Sequence, residues 1–285
     1  MFAALALAAT SPLAAQPAAE NTSLQVMTWN IRYDNANDGV DRWRNRRDWV
    51  AEIILREKVD LAGFQEVLAG QFHDLQERLP EFASYGAGRN DGKQQGEMSP
   101  IFYRKERFEL LDKGTFWLST TPEEIGSKGW DAALPRIASW LKLQDRQTKE
   151  SLTVLNTHFD HQGTKARRAS AELIVKQVRE KFATLPLIFI GDLNSLPDSA
   201  AYETLAAKGT DDLPLLRDAY VAAKSKEGPD STWNGFKKIV PGSRIDYLFA
   251  TRQWDIEKLS TLTDQRDGRF PSDHLPIVCR LSLRK

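Results

Sequence analysis

Five apolar, strand-like runs of this sequence end in side chains able to hold a metal ion or move a proton. They end at Asn30, at Glu66, at His158 with Asp160 just beyond, at Asp192 with Asn194, and at the pair Asp273-His274. The clearest run is Leu187-Ile188-Phe189-Ile190, set off by Pro186 and Gly191 and followed by Asp192-Leu193-Asn194. Four consecutive apolar residues between such breakers read as a short strand buried on both faces. In open α/β sheets the C-terminal edge of such strands is where chemistry usually lies. Asp246 sits inside the apolar run Arg244-Ile245-Asp246-Tyr247-Leu248-Phe249, where an unpaired charge is costly, so a histidine or a metal is its expected partner. Taken singly, each residue has a plainer reading: Asn30 and Asn194 as turn formers, Glu66 as a helix cap, the histidines as core residues.

The elements that must position these groups alternate along the chain. Residues 24–31 read as a strand ending near Trp29-Asn30, and residues 59–64 as a second, ending at Gln65-Glu66. Between them, residues 34–41 are rich in Asn, Asp and Gly and read as a loop, and residues 43–57 carry Trp49, Val50, Ile53 and Ile54 at helical spacing. Residues 69–79 place Phe72, Leu75 and Leu79 on one helical face. From 82 to 143 the pattern changes to successive strands, clearest at 101–103 and 108–118, with a Gly- and Trp-containing loop over 120–135. A strand over 151–157 leads into His158, an amphipathic helix spans 165–182, and the strand 187–190 follows. The last third holds a helix over 199–207, a loop over 225–235, a strand over 245–250 and a final strand after Pro276. No linker, low-complexity tract or short repeat follows residue 24. The expectation is one domain over residues 24–285, built from two packed sheets with helices outside.

Composition narrows the class. The 285 residues allow one large domain or two small ones, and 41% hydrophobic with 27% charged residues is ordinary for a soluble globular protein. Lys+Arg and Asp+Glu each total 39, so no global basic field attracts nucleic acid, although a local basic groove stays open. Residues 2–9 are an apolar run followed by a Pro- and Ala-rich stretch, which resembles a secretory h-region with cleavage near Ala15 or Ala19. A leader over residues 1–20 and a periplasmic or secreted location are therefore expected, despite the lack of a basic n-region; a disordered Ala-rich tail is the plainer reading. The run is too short to span a membrane, and no later segment reads as a span. Cys279 is the single cysteine, so an intrachain disulfide and a Cys-based zinc site are excluded, and it reads as a small core residue.

The polar strand ends also form a pattern together. Trp29-Asn30, Gln65-Glu66, Asn156-Thr157-His158, Gly191-Asp192-Leu193-Asn194, Arg244-Ile245-Asp246-Tyr247 and Ser272-Asp273-His274 occur in the order found in the endonuclease/exonuclease/phosphatase superfamily. The chain resembles that superfamily from about Val26 to Leu283. Phe116-Trp117-Leu118-Ser119 and Asn156-Thr157-His158-Phe159-Asp160-His161 look most like its bacterial stand-alone metal-dependent hydrolases. The resemblance implies a DNase I-like four-layered α/β sandwich and hydrolysis of a phosphoester dependent on Mg²⁺ or Mn²⁺. It implies Glu66 as the principal metal carboxylate, with Asn30 beside it and Asp273 nearby. Asp192 would orient or deprotonate the attacking water, and Asn194 would hold Asp192 and a phosphate oxygen. His274, its tautomer set by Asp246, would stabilise the phosphoryl transition state or act as acid/base, and His158 would contact the scissile phosphate.

These roles suit the chemistry. The phosphoryl transition state spreads negative charge over its oxygens, so positioning and electrostatic stabilisation supply most of the acceleration. A carboxylate with an amide oxygen suits a hard ion, whereas zinc needs more His or Cys ligands. Three rim segments are candidates for substrate binding: the basic stretch 41–47 with Trp43; the stretch 116–122 leading to Gly129-Trp130 and Pro135-Arg136; and Lys165, Arg167 and Arg168 at the start of the helix after His158. Equally, these are ordinary surface and packing residues. The expected function is a phosphodiesterase or phosphatase acting as a monomer. A nuclease on RNA or single-stranded DNA, and a silent binding protein on the same fold, are the alternatives.

Overall fold

The two-residue alternation of strand side chains decides which groups face the middle of this molecule. The computed structural model describes residues 23–209 and 214–284; the leader expected over residues 1–20 lies outside the described residues. In chain order the elements are β1 (Leu24–Asn30), α1 (Arg47–Arg56), β2 (Leu61–Gln65), α2 (Ala69–Arg78), β3 (Phe82–Tyr85), β4 (Ile101–Arg104), β5 (Phe108–Trp117), β6 (Ile137–Asp145) and β7 (Ser151–His158). There follow α3 (Thr164–Glu180), β8 (Leu187–Asp192), α4 (Ala200–Leu205), β9 (Arg217–Asp218), α5 (Ala219–Ala222), β10 (Ser225–Glu227), β11 (Asp246–Ala250), β12 (Trp254–Thr261) and β13 (Ile277–Leu283). Among the described residues, seven strands form one sheet in the order β10-β12-β13-β1-β2-β4-β3, and six form a second in the order β5-β6-β7-β8-β11-β9. Both are mixed: β1 and β2 run parallel in the first, β7 and β8 in the second, while β1–β13 and β8–β11 are antiparallel.

Alternation sorts the apolar residues into three cores. Leu24, Val26 and Leu61 of the first sheet meet Leu152, Val154, Ile188, Ile190 and Leu248 of the second between the sheets. Met27, Trp29, Ala62 and Phe64 face the other way and pack on Val50, Ile53 and Ile54 of α1 and Leu75 of α2. Leu155, Phe189, Tyr247 and Phe249 pack outward on Ala171, Ile174 and Val178 of α3 and Leu205 of α4. The result is the helix–sheet–sheet–helix layering expected of the sequence. The same parity places Asn30, Gln65, His158, Asp192 and Asp246 on the inward faces, at the strand ends just beyond the apolar core.

A polar tie sets how closely the sheets meet at that end. Gln65 Nε2 donates to Asn156 Oδ1 across the interface at 2.7 Å, and Asn156 Nδ2 donates to the carbonyls of Phe64 and Pro100, both at 2.9 Å. Gly63 makes room for it: a Cβ there would lie 2.5 Å from Ile190 Cδ1 and 2.7 Å from Asn156 Cγ.

Boundaries differ from the sequence expectation where local chemistry intervenes. The helix expected over 43–57 begins at Arg47, and residues 36–41 and 43–45 form 3₁₀ turns where a loop and the helix's first turn were expected. Asn35 Oδ1 accepts from Asn37 N–H and Gly39 takes φ 55°, which starts and then breaks a tight turn ahead of the helix. Strand β12 is absent from the sequence expectation because its register shifts between Ile256 and Lys258, which interrupts the two-residue pattern. Cys279 is buried in the core, as expected.

Gly63→Ala tests the sheet approach. Because Asn156 is held by three hydrogen bonds and cannot swing aside, the substitution is expected to lower stability by about 1–3 kcal/mol in urea unfolding. An unchanged midpoint would show that the sheets are not held in contact at this point.

Candidate active site

Three of the expected groups stand on one rung of the second sheet. His158 pairs with Asp192 in the parallel β7–β8 ladder, and Asp192 pairs with Asp246 in the antiparallel β8–β11 ladder. Gly191 permits this spacing, since a Cβ there would fall 2.2 Å from the Thr157 carbonyl oxygen. Asn194 takes a left-handed φ of 46°, a conformation Asn tolerates, and so turns the chain back over the rung. Its backbone N–H donates to Asp192 Oδ1 at 2.8 Å, and its Nδ2 donates to the Phe159 carbonyl at 3.1 Å and meets His158 Nε2 at 2.9 Å. His158 Nε2 also faces Asp192 Oδ2 at 3.4 Å; where it accepts from Asn194, the ring hydrogen of a neutral His158 sits on Nδ1.

His274 reaches the rung from the loop ahead of β13. Trp29 Nε1 donates to the His274 carbonyl at 3.0 Å and Ser272 Oγ donates to the Asn30 carbonyl at 2.7 Å, which fastens this loop to β1. His274 Nδ1 lies 2.8 Å from Asp246 Oδ2, and its Nε2 faces Asp192 Oδ2 at 3.8 Å. Burial disfavours an imidazolium here, but Asp246, Asp192 and Asp273 together outweigh it and raise the His274 pKa well above the ordinary imidazole range. Burial and the adjacent Asp246 push the Asp192 carboxyl up to about 7, although His274, Asn30 and Asn194 oppose the shift. Burial, reinforced by Arg136, drives His158 well below the ordinary range. One imidazole is thus a cationic donor and the other neutral.

The first sheet supplies oxygens. Glu66, at a left-handed φ of 62°, points back over β1: its Oε1 accepts from Asn30 Nδ2 at 3.1 Å and its Oε2 from Tyr33 N–H at 3.1 Å. Asn30 Nδ2 also donates to Asp192 Oδ2 at 2.9 Å, while its Oδ1 accepts from Arg32 N–H at 3.0 Å. Asn30 therefore bridges the two carboxylates, and its oxygen is engaged by the backbone. Arg32 lies 4.0 Å from Glu66 Oε2 and 3.9 Å from Asp273 Oδ2. Burial raises the Asp273 carboxyl, and Glu66 adds to the rise against His274 and Arg32.

Two carboxylates crowding one partly open cleft, with oxygen donors alone, fit a hard divalent cation. Asp192, Asp246 and His274 form another cluster, with ligand atoms within 4.8 Å of one another. That cluster suits a metal less well, because His274 Nδ1 and Asp246 Oδ2 already bind each other. Glu66 and Asp273 are the better match to a metal.

The candidate substrate arginines separate. Arg136 is buried next to His158, with Nε 3.4 Å from Asp160 Oδ2 and Nη2 2.9 Å from His161 Nδ1. Arg167 donates to the Asp160 carbonyl at 3.0 Å, behind the rung. Arg168 pairs with Glu172 at 3.0 Å on the exposed face of α3 and is not brought to the site. The first turn of α3 is capped by Asp131, which accepts from Ala166 N–H at 2.6 Å and Lys165 N–H at 3.3 Å. Of the expected rim, Trp43 and residues 116–118 are core, while Trp130 is exposed. Arg46 is buried as well. Burial lowers its pKa to about 10, and its guanidinium donates to the carbonyls of Ile31, Arg32, Asp41 and Pro271 beneath the metal-side loop. Sequence reasoning missed Arg32, Arg89 and Glu97. The turn signal Arg89-Asn90-Asp91-Gly92 was the one clue that residue 89 folds back toward the site.

The chain is similar to known proteins over most of its length. A family model described as the Endonuclease/Exonuclease/phosphatase family matches residues 27–274. A solved endonuclease/exonuclease/phosphatase from Bacteroides vulgatus is 39% identical with a TM-score of 0.88, covering 93% of this chain and 100% of that one. A mannosyl-6-phosphatase of Bacteroides thetaiotaomicron is 35% identical with a TM-score of 0.85, covering 92% and 100% respectively. Nocturnin of Rattus norvegicus is 23% identical over an alignment of 299 positions that covers 92% of this chain and 66% of nocturnin. A protein of Acanthamoeba polyphaga mimivirus is matched over 33% of its length, so this chain spans a third to two thirds of these curated relatives.

His274→Ala would leave Asp246 buried without its partner. The expected cost is about 3–5 kcal/mol in chemical denaturation at neutral pH. A loss under about 1 kcal/mol would mean that Asp246 does not depend on the imidazole for its charge.

Proposed function

Because the chain belongs to the endonuclease/exonuclease/phosphatase family, we propose that it hydrolyses a phosphoester with a water activated at Asp192 and with Mg²⁺ or Mn²⁺ held by Glu66 and Asp273. The observation that carries this reading is the buried rung His158–Asp192–Asp246 closed by His274, with Glu66 facing it through Asn30. The cation, when bound, supplies positive charge against the phosphoryl oxygens. Asp192 accepts a proton from the attacking water, and burial has brought its pKa close to the working range. His274 offers Nε2–H to a phosphoryl oxygen, and Asp246 holds the ring and its charge from Nδ1. Asn194 orients both Asp192 and His158, and Asn30 keeps Glu66 and Asp192 in register.

The mannosyl-6-phosphatase relative, at 35% identity, supports phosphorylated sugars as the first substrates to try. A nuclease remains the second reading, favoured by Trp130 and Trp233, which are 41% and 38% exposed and could stack on bases. Against it stand the zero net charge and the pairing of Arg168 with Glu172. The filled acid–base positions argue against a silent binding protein. The apolar run at residues 2–9 supports export and a site of action outside the cytoplasm.

A panel of sugar phosphates, nucleotides, phospholipid head-group esters and oligonucleotides tests the activity. Hydrolysis is expected with Mg²⁺ or Mn²⁺, is expected to vanish with EDTA, and should fall about 10²–10⁴-fold in Asp192→Asn. No metal-dependent turnover of any ester would sink the reading. The pH dependence has a definite sign. Asp192 acts as a base only when ionised, so kcat/KM should rise with pH through about 7. His274 donates only while protonated, so the decline should come well above the ordinary imidazole range. A profile that falls between pH 6 and 8 would reverse these roles. For export, the N-terminus of protein recovered from a bacterial periplasm should begin beyond residue 15; uncleaved protein confined to the cytoplasm would refute it.

A further inference from the structure

Beside His158 lies a void of about 10 Å³, lined by Arg89, Glu97, Ser99, Arg136 and His158 among others. Three nitrogens of these residues are buried and meet no hydrogen-bond partner among the described residues: Arg89 Nε, Arg136 Nη1 and His158 Nδ1. The residues are 8%, 5% and 6% exposed. The two guanidinium atoms are donors in every state, and His158 Nδ1 is a donor in the tautomer whose Nε2 accepts from Asn194. A guanidinium nitrogen cannot accept. Buried donors without an acceptor are costly, and three around one void form a place built to receive an oxygen.

The lining is held from outside. Arg89 Nη1 is 2.9 Å from Glu97 Oε2, the Arg89 N–H donates to the Glu97 carbonyl at 3.1 Å, and its carbonyl accepts from Trp117 Nε1 at 2.7 Å. Arg136 is fixed through Asp160 and His161. Glu97 is the acidic group of the lining. Its Oε2 is engaged by Arg89 and stands 3.8 Å from His158 Nδ1, too far to satisfy it.

We propose that Arg89, Arg136 and His158 form a hole for one unsubstituted phosphoryl oxygen, which makes this centre a phosphomonoesterase rather than a phosphodiesterase. The inference rests on the hydrolytic reading above and assigns its substrate class. A phosphomonoester carries three terminal oxygens and a diester two. Two terminal oxygens can face the metal side and His274, and the third enters the hole. An esterified oxygen carries less charge and accepts more weakly than a terminal one, so buried donors that need an acceptor favour the unsubstituted oxygen. The two arginines supply fixed donors to the additional negative charge of the monoester.

The test compares kcat/KM of the metal-loaded enzyme on p-nitrophenyl phosphate and bis-p-nitrophenyl phosphate, for the wild type and for Arg89→Lys and Arg136→Lys. Lysine keeps the charge and loses the planar fork. The wild type is expected to prefer the monoester, and each variant to lower the monoester-to-diester ratio on the order of 10²-fold. Inorganic phosphate, the product of monoester hydrolysis, should raise the Tm of the wild type and raise that of Arg136→Lys less, with the Tm values of both proteins similar in its absence. A wild type that hydrolyses the diester in preference to the monoester overturns the inference and leaves the hydrolytic reading standing. Equal losses on both esters also overturn it, since they mark a hole that only holds a structural water. No hydrolysis of either ester, nor of any ester in the wider panel, sinks both.

Discussion

The contact between Gln65 and Asn156 governs the geometry of the rest of the molecule. Two mixed sheets could slide or tilt against each other on a purely apolar interface, because dispersion and hydrophobic burial are non-directional. A buried amide pair is directional. Gln65 Nε2 must meet Asn156 Oδ1, and Asn156 Nδ2 must meet the Phe64 and Pro100 carbonyls, or polar groups are left buried without partners. Gly63, with no Cβ, lets the strands approach closely enough for this to happen. One residue further along β2 the chain leaves the sheet at Glu66, and two residues further along β7 it reaches His158. The tie thus sets the distance across which Asn30 Nδ2 spans Glu66 and Asp192.

Within that frame, burial divides the acid–base labour. Asp192, His158 and His274 are nearly inaccessible to solvent, so the pKa of each is decided by burial and its neighbours. His274 has three carboxylates around it and keeps its proton. His158 has Arg136 and Arg89 on its far side and gives its proton up. Two histidines of one site therefore present opposite charge states from the same side-chain chemistry, a separation suited to moving a proton on one side and receiving an oxygen on the other.

Much of the fold was legible because the code is local. Continuous apolar runs at 187–190 and alternating ones at 24–30 and 151–158 give strands without reference to anything distant. Where the local pattern is interrupted, the reading failed. The bulge after Ile256 hid β12, and Asn35 with Gly39 replaced a loop by tight turns. The basic rim was misjudged for a different reason. An arginine's role depends on which carbonyls or carboxylates surround it, and Arg46, Arg136 and Arg168 read alike in sequence. They fold respectively into a carbonyl clamp, a wall beside His158 and a surface pair with Glu172.

The sequence by itself determined which residues could do chemistry and which face of each strand they occupy. Parity within a strand and the order of the polar strand ends are both properties of a short stretch of chain. Tertiary structure alone decided how those ends meet. The rung from His158 through Asp192 to Asp246 depends on register between paired residues 34 and 54 apart in the chain, and the bridge from Asn30 to Asp192 on contact between two sheets. The unpartnered donors of Arg89 and Arg136 exist only because the chain folds back to bury them beside His158. Hydrogen-bond satisfaction and desolvation are set by neighbours distant in sequence, so no local pattern can announce them.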